Sequence, residues 1–359
     1  MKRIKIVSLV MMLCFCMSGC SQSINNSTLD TALITTSVSV IPESDITNIT
    51  LESYYTETDT TLTSLDDNEE SNTTMESIHE QFDVVFDENG WPCGLCGERV
   101  HWILMPDGTL EITGEGEMLD FDWDYIEQTA LQPWREYRDQ ISTVTIENGV
   151  SNIGKCAFRQ CTELKKVIIA ESVNSIGEFA FETCPNLEEI TVDSNNQMFS
   201  SMDGVLFDKD MKSLIKYPGK KTDTYYDVPD TVVSIEMSCF EYCSLVQIHI
   251  PDNVESISSL SFAGLDKVYS VVLPNKLTVI ENDLFNGGAL EQVVIQENVN
   301  TIEEDAFGGC WGLTDIFFTG TQEQWERINI SNTNDNIFSA RIHCNYDLQN
   351  DGDVNWNYD

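Results

Sequence analysis

Apolar positions recur along this chain with a fixed register. Ile141, Val144 and Ile146 are set apart by polar residues, and the same spacing returns at intervals of about 23 residues as Leu164, Val167, Ile169 and then Leu187, Ile190, Val192. Leu245, Val268, Leu290 and Leu313 open equivalent segments. Each segment runs on to a Val or Leu, an Ile three residues later and a Phe five beyond that: Val150, Ile153, Phe158; Val173, Ile176, Phe181; Val232, Ile235, Phe240; Val254, Ile257, Phe262; Leu277, Ile280, Phe285; Val299, Ile302, Phe307. Alternation of period two at the start of every unit predicts a short strand whose apolar side chains face inward. A single unit cannot bury that face, but stacked units bury a continuous core. The pattern therefore predicts a mainly β repeat solenoid.

The array is expected over residues 141–318, with one longer unit at about 187–222. There Phe199, Asp203-Gly204-Val205-Leu206-Phe207 and Leu214 to Pro218 read as extra strands around a turn, most simply a hairpin that protrudes from the stack. Upstream, Val100, Trp102 and Leu104 alternate with polar residues, Asp107-Gly108 turns the chain, and Leu110 and Ile112 resume the alternation. That is a β-hairpin signal, so residues 81–140 read as an N-terminal β cap over the open end of the stack. Residues 319–359 read as a C-terminal cap and acidic tail.

The unit Ile176-Gly177 followed by Ala180-Phe181-Glu182-Thr183-Cys184 closely resembles the BspA-type leucine-rich repeat of bacterial surface proteins. Cys96-Gly97-Glu98, Trp102, Gly114 to Met118 and Pro133-Trp134 resemble the leader region before such repeats, and Gly320 to Trp325 with Ile342-His343 their closing segment. The resemblance spans about Asn89 to Tyr346. It implies a leucine-rich-repeat array of short parallel strands with an N-terminal β-hairpin cap and a C-terminal cap, used for attachment to host proteins, neighbouring cells or polysaccharides.

If the strands stack in register, the residue just before the last inward one forms an outward column: Thr145, Ile168, Thr191, His249, Val272, Val294, Phe317. Tyr269 belongs to a preceding column. The candidate ligand-binding residues are accordingly Ile168, His249, Tyr269, Val272, Val294 and Phe317, and alanine at Tyr269, His249 and Phe317 together is expected to abolish capture with the fold intact. The competing explanation is that β-branched residues in this column only favour strand conformation.

The amino terminus places this array in the cell. Lys2, Arg3 and Lys5 precede an apolar run from Ile6 to Phe15, too short to span a bilayer. The run closes on Met17-Ser18-Gly19-Cys20, which resembles a lipobox, with Met where Leu is commoner. Residues 1–19 are thus expected to be a lipoprotein signal peptide and Cys20 the site of lipid attachment, giving an extracytoplasmic protein held to the membrane through its N-terminal lipid alone. Loss of that peptide removes three positive charges and no negative ones, moving the net charge from -41 to -44. From there to residue 80 the chain is rich in Ser, Thr, Asn and acids and has no Lys or Arg. It reads as a disordered stalk, about 45 Å long as a coil and at most about 200 Å stretched.

Composition narrows the partners further. With 19 basic residues against 60 acidic ones and no basic stripe, nucleic acid is excluded as a partner. Cys161, Cys184, Cys243 and Cys310 occupy one repeat position and read as small buried thiols. Cys93-Gly-Leu-Cys96 is a lone CxxC without a second ligand pair, which leaves a local disulfide or unpaired structural thiols. The spacing Asp347, Gln349, Asp351, Asp353 hints at a calcium loop, but Tyr358 stands where its bidentate Glu belongs. His79, His101, His249 and His343 are scattered, and no hydrolase, zinc-protease or phosphate-loop motif occurs. The expectation is a non-enzymatic binding protein without cofactor or metal, its partner an extracellular protein or polysaccharide. The alternatives are a structural or substrate-capturing envelope component, or an enzyme accessory, without a host partner.

Overall fold

The computed structural model describes residues 84–124 and 129–348. The signal segment, Cys20, the stalk and the tail from residue 349, with its calcium-loop spacing, lie outside them. The described chain is a mainly β solenoid of about nine turns. Val85–Phe86, Pro92–Leu95, Val100–Leu104 and Thr109–Gly114 pair antiparallel in sequence order. Thr109–Gly114 then pairs in parallel with Thr143–Ile146, the first strand of the regular array, so the cap's last strand is also the first rung of the ladder. Gly108 makes the hairpin possible: it sits at φ +86, and a Cβ there would strike the Gln140 carbonyl.

Thr143–Ile146, Lys166–Ile169 and Glu189–Val192 continue that ladder in exact one-coil register. Val144, Ile146, Val167, Ile169 and Ile190 point inward and are buried, as the alternation predicts. On the opposite wall of each coil the Ile of the motif forms a two-residue strand, as in Asn152–Ile153 beside Ser175–Ile176. The following glycine lets neighbouring coils approach: a Cβ on Gly177 would meet the Lys155 backbone of the coil below. The Phe positions stack into ladders. Trp134, Phe158 and Phe181 are spaced 5.6 and 5.9 Å apart, and Phe240, Phe262, Phe285 and Phe307 follow at 5.5, 5.4 and 5.2 Å.

The long unit departs from its sequence reading. Phe199–Met202, Val205–Asp208 and Ser213–Lys216 form an antiparallel meander, but it does not protrude. Val205, Leu206 and Phe207 are all buried; Leu206 packs into the N-terminal core, whereas Val205 and Phe207 pack into the C-terminal one. The meander is a wall between two separate cores. A strand apolar on both faces has to be covered on both faces, and this one lies where each half of the stack needs an end. Its turn closes the edge of Glu189–Val192, with the Ile190 N–H donating to the Gly204 carbonyl at 2.9 Å. Beyond the wall Tyr225–Asp227 pairs with Gln247–His249 as a two-stranded sheet, and on the following coils Ser270–Val272, Gln292–Ile295, Asp315–Phe318 and Arg341–Cys344 form a separate four-stranded parallel one. Tyr217 takes the Phe slot of the wall coil, 5.5 Å from Phe240.

A compact group of charges crosses the wall on its inner side. Arg159 pairs with Glu182, and the Arg159 guanidinium lies 3.7 Å over the Trp123 ring. Lys216 donates to the Ser238 carbonyl at 2.6 Å and stands 4.0 Å from Glu241, whose carboxylate accepts from the Thr183 N–H at 3.1 Å. Glu182, Lys216 and Glu241 are all buried. Burial, followed by the nearby Glu241 carboxylate, raises Glu182 to about 7, against the lowering effect of Arg159 and Lys216.

Candidate functional site

Parallel register turns the outward column into real rows. Glu111, Thr145, Ile168 and Thr191 face one another across the N-terminal ladder. Asp227 stands opposite His249, and Val272, Val294, Phe317 and His343 form one row in the C-terminal ladder. The wall separates the two sets, so Ile168 does not share a surface with His249. Ile168 instead lines a shallow groove of about 390 Å³ with Thr145, Thr191, Glu147, Glu171 and Asp193.

Two of the candidate residues are not on the surface at all. Val294 is fully buried and Phe317 is 8% exposed, because the closing segment folds back over them. After Arg341–Cys344 the chain turns at Asn345, which is left-handed at φ 59, and the Tyr346 N–H donates to the Phe318 carbonyl at 3.0 Å. The Tyr346 ring thereby sits 4.7 Å from Phe317, and His343 stacks on Phe317 at the same distance. An apolar row next to a chain end is covered by that end. The expectation that Phe317 could be cut to alanine with the fold intact is therefore replaced: Phe317 is a core residue of the C-terminal cap. Asp315 holds this cap, accepting from Arg341 at 2.8 Å and pairing with His343 at 2.7 Å. Burial by itself would raise its carboxyl, but the bonds from His343, Arg341 and Thr314 outweigh that and keep it below the usual carboxylate value.

What stays open is the start of the C-terminal half. Tyr225, Val246 and Tyr269 are 46%, 47% and 51% exposed on three successive coils. His249 lies 2.5 Å from the Asp227 carboxylate through Nδ1, with Gln247, Ser270 and Val272 half-buried alongside. His249, Tyr269 and Val272 thus belong to one patch, together with Tyr225, Asp227 and Val246, which the repeat count overlooked. The strand of Tyr225 and Asp227 lies between the long unit at about 187–222 and Val232 and lacks the opening Leu that marks the other units, whereas Val246 directly follows the opening Leu245. A signal was present: Val228-Pro229 repeats Ile250-Pro251 at a shift of 22 residues, the same shift that carries His249 onto Asp227.

Comparison with known proteins matches the BspA type leucine rich repeat region, in six copies, over residues 136–210 and 220–343, together more than half of the chain. The chain belongs to the BspA-type leucine-rich-repeat family. No curated protein matches it. Among solved structures it is similar to a leucine-rich repeat protein from Eubacterium ventriosum, at 23% identity over 63% of this chain and 84% of that one, with a TM-score of 0.36. It is also similar to a leucine rich cell surface protein from Faecalibacterium prausnitzii, at 20% identity over 66% and 97% of the two chains and a TM-score of 0.36. For the pneumococcal vaccine antigen PcpA the identity is 15% over 70% and 98% of the two chains, with a TM-score of 0.42. No helix among the described residues is long and apolar enough to cross a membrane.

The cysteine that recurs at one position of the repeat has a physical role in this chain. The thiols of Cys184 and Cys310 donate to the Phe158 and Phe285 carbonyls at 3.1 Å, and that of Cys243 to the Tyr217 carbonyl at 3.7 Å, each bridging to the Phe slot of the preceding coil. Burial pushes the Cys184 and Cys239 thiols up to about 12 and Cys310 to about 11, so none is a nucleophile at neutral pH. All nine described cysteines are free, and only Cys93 and Cys344 are part-exposed. Among the nine described cysteines, maleimide labelling of the native Cys20→Ala protein at neutral pH is expected to modify Cys93 and Cys344 and to reach the other seven only in denaturant. Rapid native labelling of Cys184 or Cys243 would contradict the burial described.

Proposed function

We propose that this BspA-type protein is a lipid-anchored cell-surface binding protein of a bacterium, which uses its repeat array to recognise a protein or glycan outside the cell. The observation that carries this reading is the exposed patch on successive strands of a rigid stack: Tyr225, Val246 and Tyr269 beside the Asp227–His249 pair. A solenoid offers an extended ordered surface, and exposed aromatic rings on such a surface are the usual anchors of recognition. The lipobox-like ending at Cys20 and the acidic segment to residue 80 supply the attachment and the reach.

Two experiments test the two halves. Cys20→Ala is expected to abolish incorporation of labelled fatty acid and release the protein into the medium; retention in the membrane fraction would count against lipid anchoring. The released protein is then presented to matrix proteins, glycans and fractions of the cell's own envelope. Capture confined to the envelope fractions would favour a structural role without a host partner, and no capture of any kind would sink the binding reading.

A further inference from the structure

The strand face at Tyr225–Tyr269 differs in chemistry from the rest of this molecule. Eleven residues of four successive coils make up its outward and entry positions: Thr224, Val246, Tyr269 and Glu291; Tyr225, Gln247, Ser270 and Gln292; Asp227, His249 and Val272. Only Asp227 and Glu291 among them carry a formal charge, and none is Lys or Arg, in a chain with 60 acidic and 19 basic residues. The equivalent positions before the wall hold Lys165, Lys166, Glu188 and Glu189, with Lys166 and Glu189 paired. This face carries fewer charges than its counterpart before the wall.

Tyr225 lies two residues before Asp227 on the same strand, hence on the same face and about 7 Å away along the backbone. The Asp227 carboxylate on that face is contacted by His249 Nδ1 at 2.5 Å. At 46% exposure Tyr225 shows an aromatic surface to solvent. Val246 and Tyr269, 47% and 51% exposed, follow on the next two coils at the position just before each strand. The groove lined by Ile168 includes none of Tyr225, Val246 and Tyr269.

We infer that this face binds a neutral pyranose chain laid across the strands, the C–H faces of successive sugars resting on Tyr225 and Tyr269. Asp227, His249, Gln247 and Ser270 exchange hydrogen bonds with the hydroxyls. Flat aromatic surfaces suit the apolar faces of sugars, and carboxylate, imidazole and amide groups supply both acceptors and donors for vicinal hydroxyls. An anionic polymer is repelled by Asp227, Glu291 and the net charge of -41. A basic protein would meet few ion-pair partners here, although acids are plentiful elsewhere. This inference rests on reading the strand face as the binding surface.

The test titrates the soluble full-length Cys20→Ala protein with cellohexaose, xylohexaose and maltohexaose, with a heparin hexasaccharide as the anionic arm and immobilised collagen and laminin as the protein arm. At least one neutral hexasaccharide is expected to bind. Tyr225→Ala with Tyr269→Ala should weaken it by at least about tenfold without moving the unfolding midpoint. Tyr225→Phe, which keeps the ring and removes only its hydroxyl, should weaken it less. Binding of a neutral sugar that ignores the double substitution overturns the assigned face, and heparin binding of equal strength overturns the neutral class. If no neutral hexasaccharide binds, the sugar assignment fails; the face reading still stands where the double substitution abolishes collagen or laminin capture, and falls with it where capture is unchanged.

Discussion

Phe262→Ala is expected to lower stability by about 3–5 kcal/mol, the range for deleting a buried aromatic ring, and to unfold the C-terminal half of the stack before the N-terminal half. Phe262 is 1% exposed and lies between Phe240 at 5.5 Å and Phe285 at 5.4 Å, with interplanar angles of 6° and 12°. Removing it leaves a hole that neighbouring coils cannot close, because the Phe262 N–H is fixed to the Leu284 carbonyl and the Phe240 N–H to the Ser261 carbonyl. Stability in a solenoid is a sum over coils and their nearest-neighbour contacts, so the loss stays near its origin. The wall at Val205–Asp208 sharpens this, since the cores on its two sides share no buried cluster. Hydrogen exchange of the variant should accelerate first in the strands from Gln247 to Ile295 and last at Val144, Val167 and Ile190. Equal acceleration on both sides of the wall would show that the cores unfold as one.

Arg159→Met should cost a similar amount, about 3–5 kcal/mol, for an electrostatic reason. It leaves the Glu182 carboxylate buried beside Glu241 and removes the guanidinium from over Trp123. Adding Glu182→Met should restore most of the loss, because a buried ion pair exchanged for apolar side chains is often close to neutral, while half of one is not. A double substitution as unstable as the single one would mean that packing on Trp123, rather than charge, accounts for the effect. The same carboxyl makes the parent protein sensitive to pH. Its folded-state value of about 7 lies above the ordinary 4.5, so the folded state holds a proton that the unfolded state releases. Its contribution to stability is therefore greatest below about pH 4.5 and is lost as pH rises through 7. Glu182→Gln should flatten the fall of the unfolding midpoint between pH 5 and 8. Asp315 acts oppositely and in another window: its lowered carboxyl stabilises above the ordinary carboxylate range and is lost on acidification.

The patch around Tyr225 and the cover over Phe317 illustrate how far the repeat pattern carries. His249, Tyr269 and Val272 were reachable because strand alternation and a constant period together place residues in rows. Tyr225 and Asp227 were hidden by a coil without its opening Leu, and Val294 and Phe317 were assigned to solvent because the period says nothing of a segment folding back from the chain end. The long unit was recognisable as extra strands, yet its apolar run at Val205–Phe207 was compatible with a protruding hairpin until both cores were seen against it.

The sequence by itself determined the solenoid, its inward residues, the recurring Phe positions and the cap hairpin. These are periodic or local properties, governed by alternation, turn chemistry and the need of each coil to bury one face on the next. Tertiary structure decided the division into two cores, the buried group of Arg159, Glu182, Lys216 and Glu241, and which outward residues remain in water. Those depend on contacts between segments far apart in the chain, where the aperiodic parts meet the stack, and a repeating pattern holds no information about what covers its own ends.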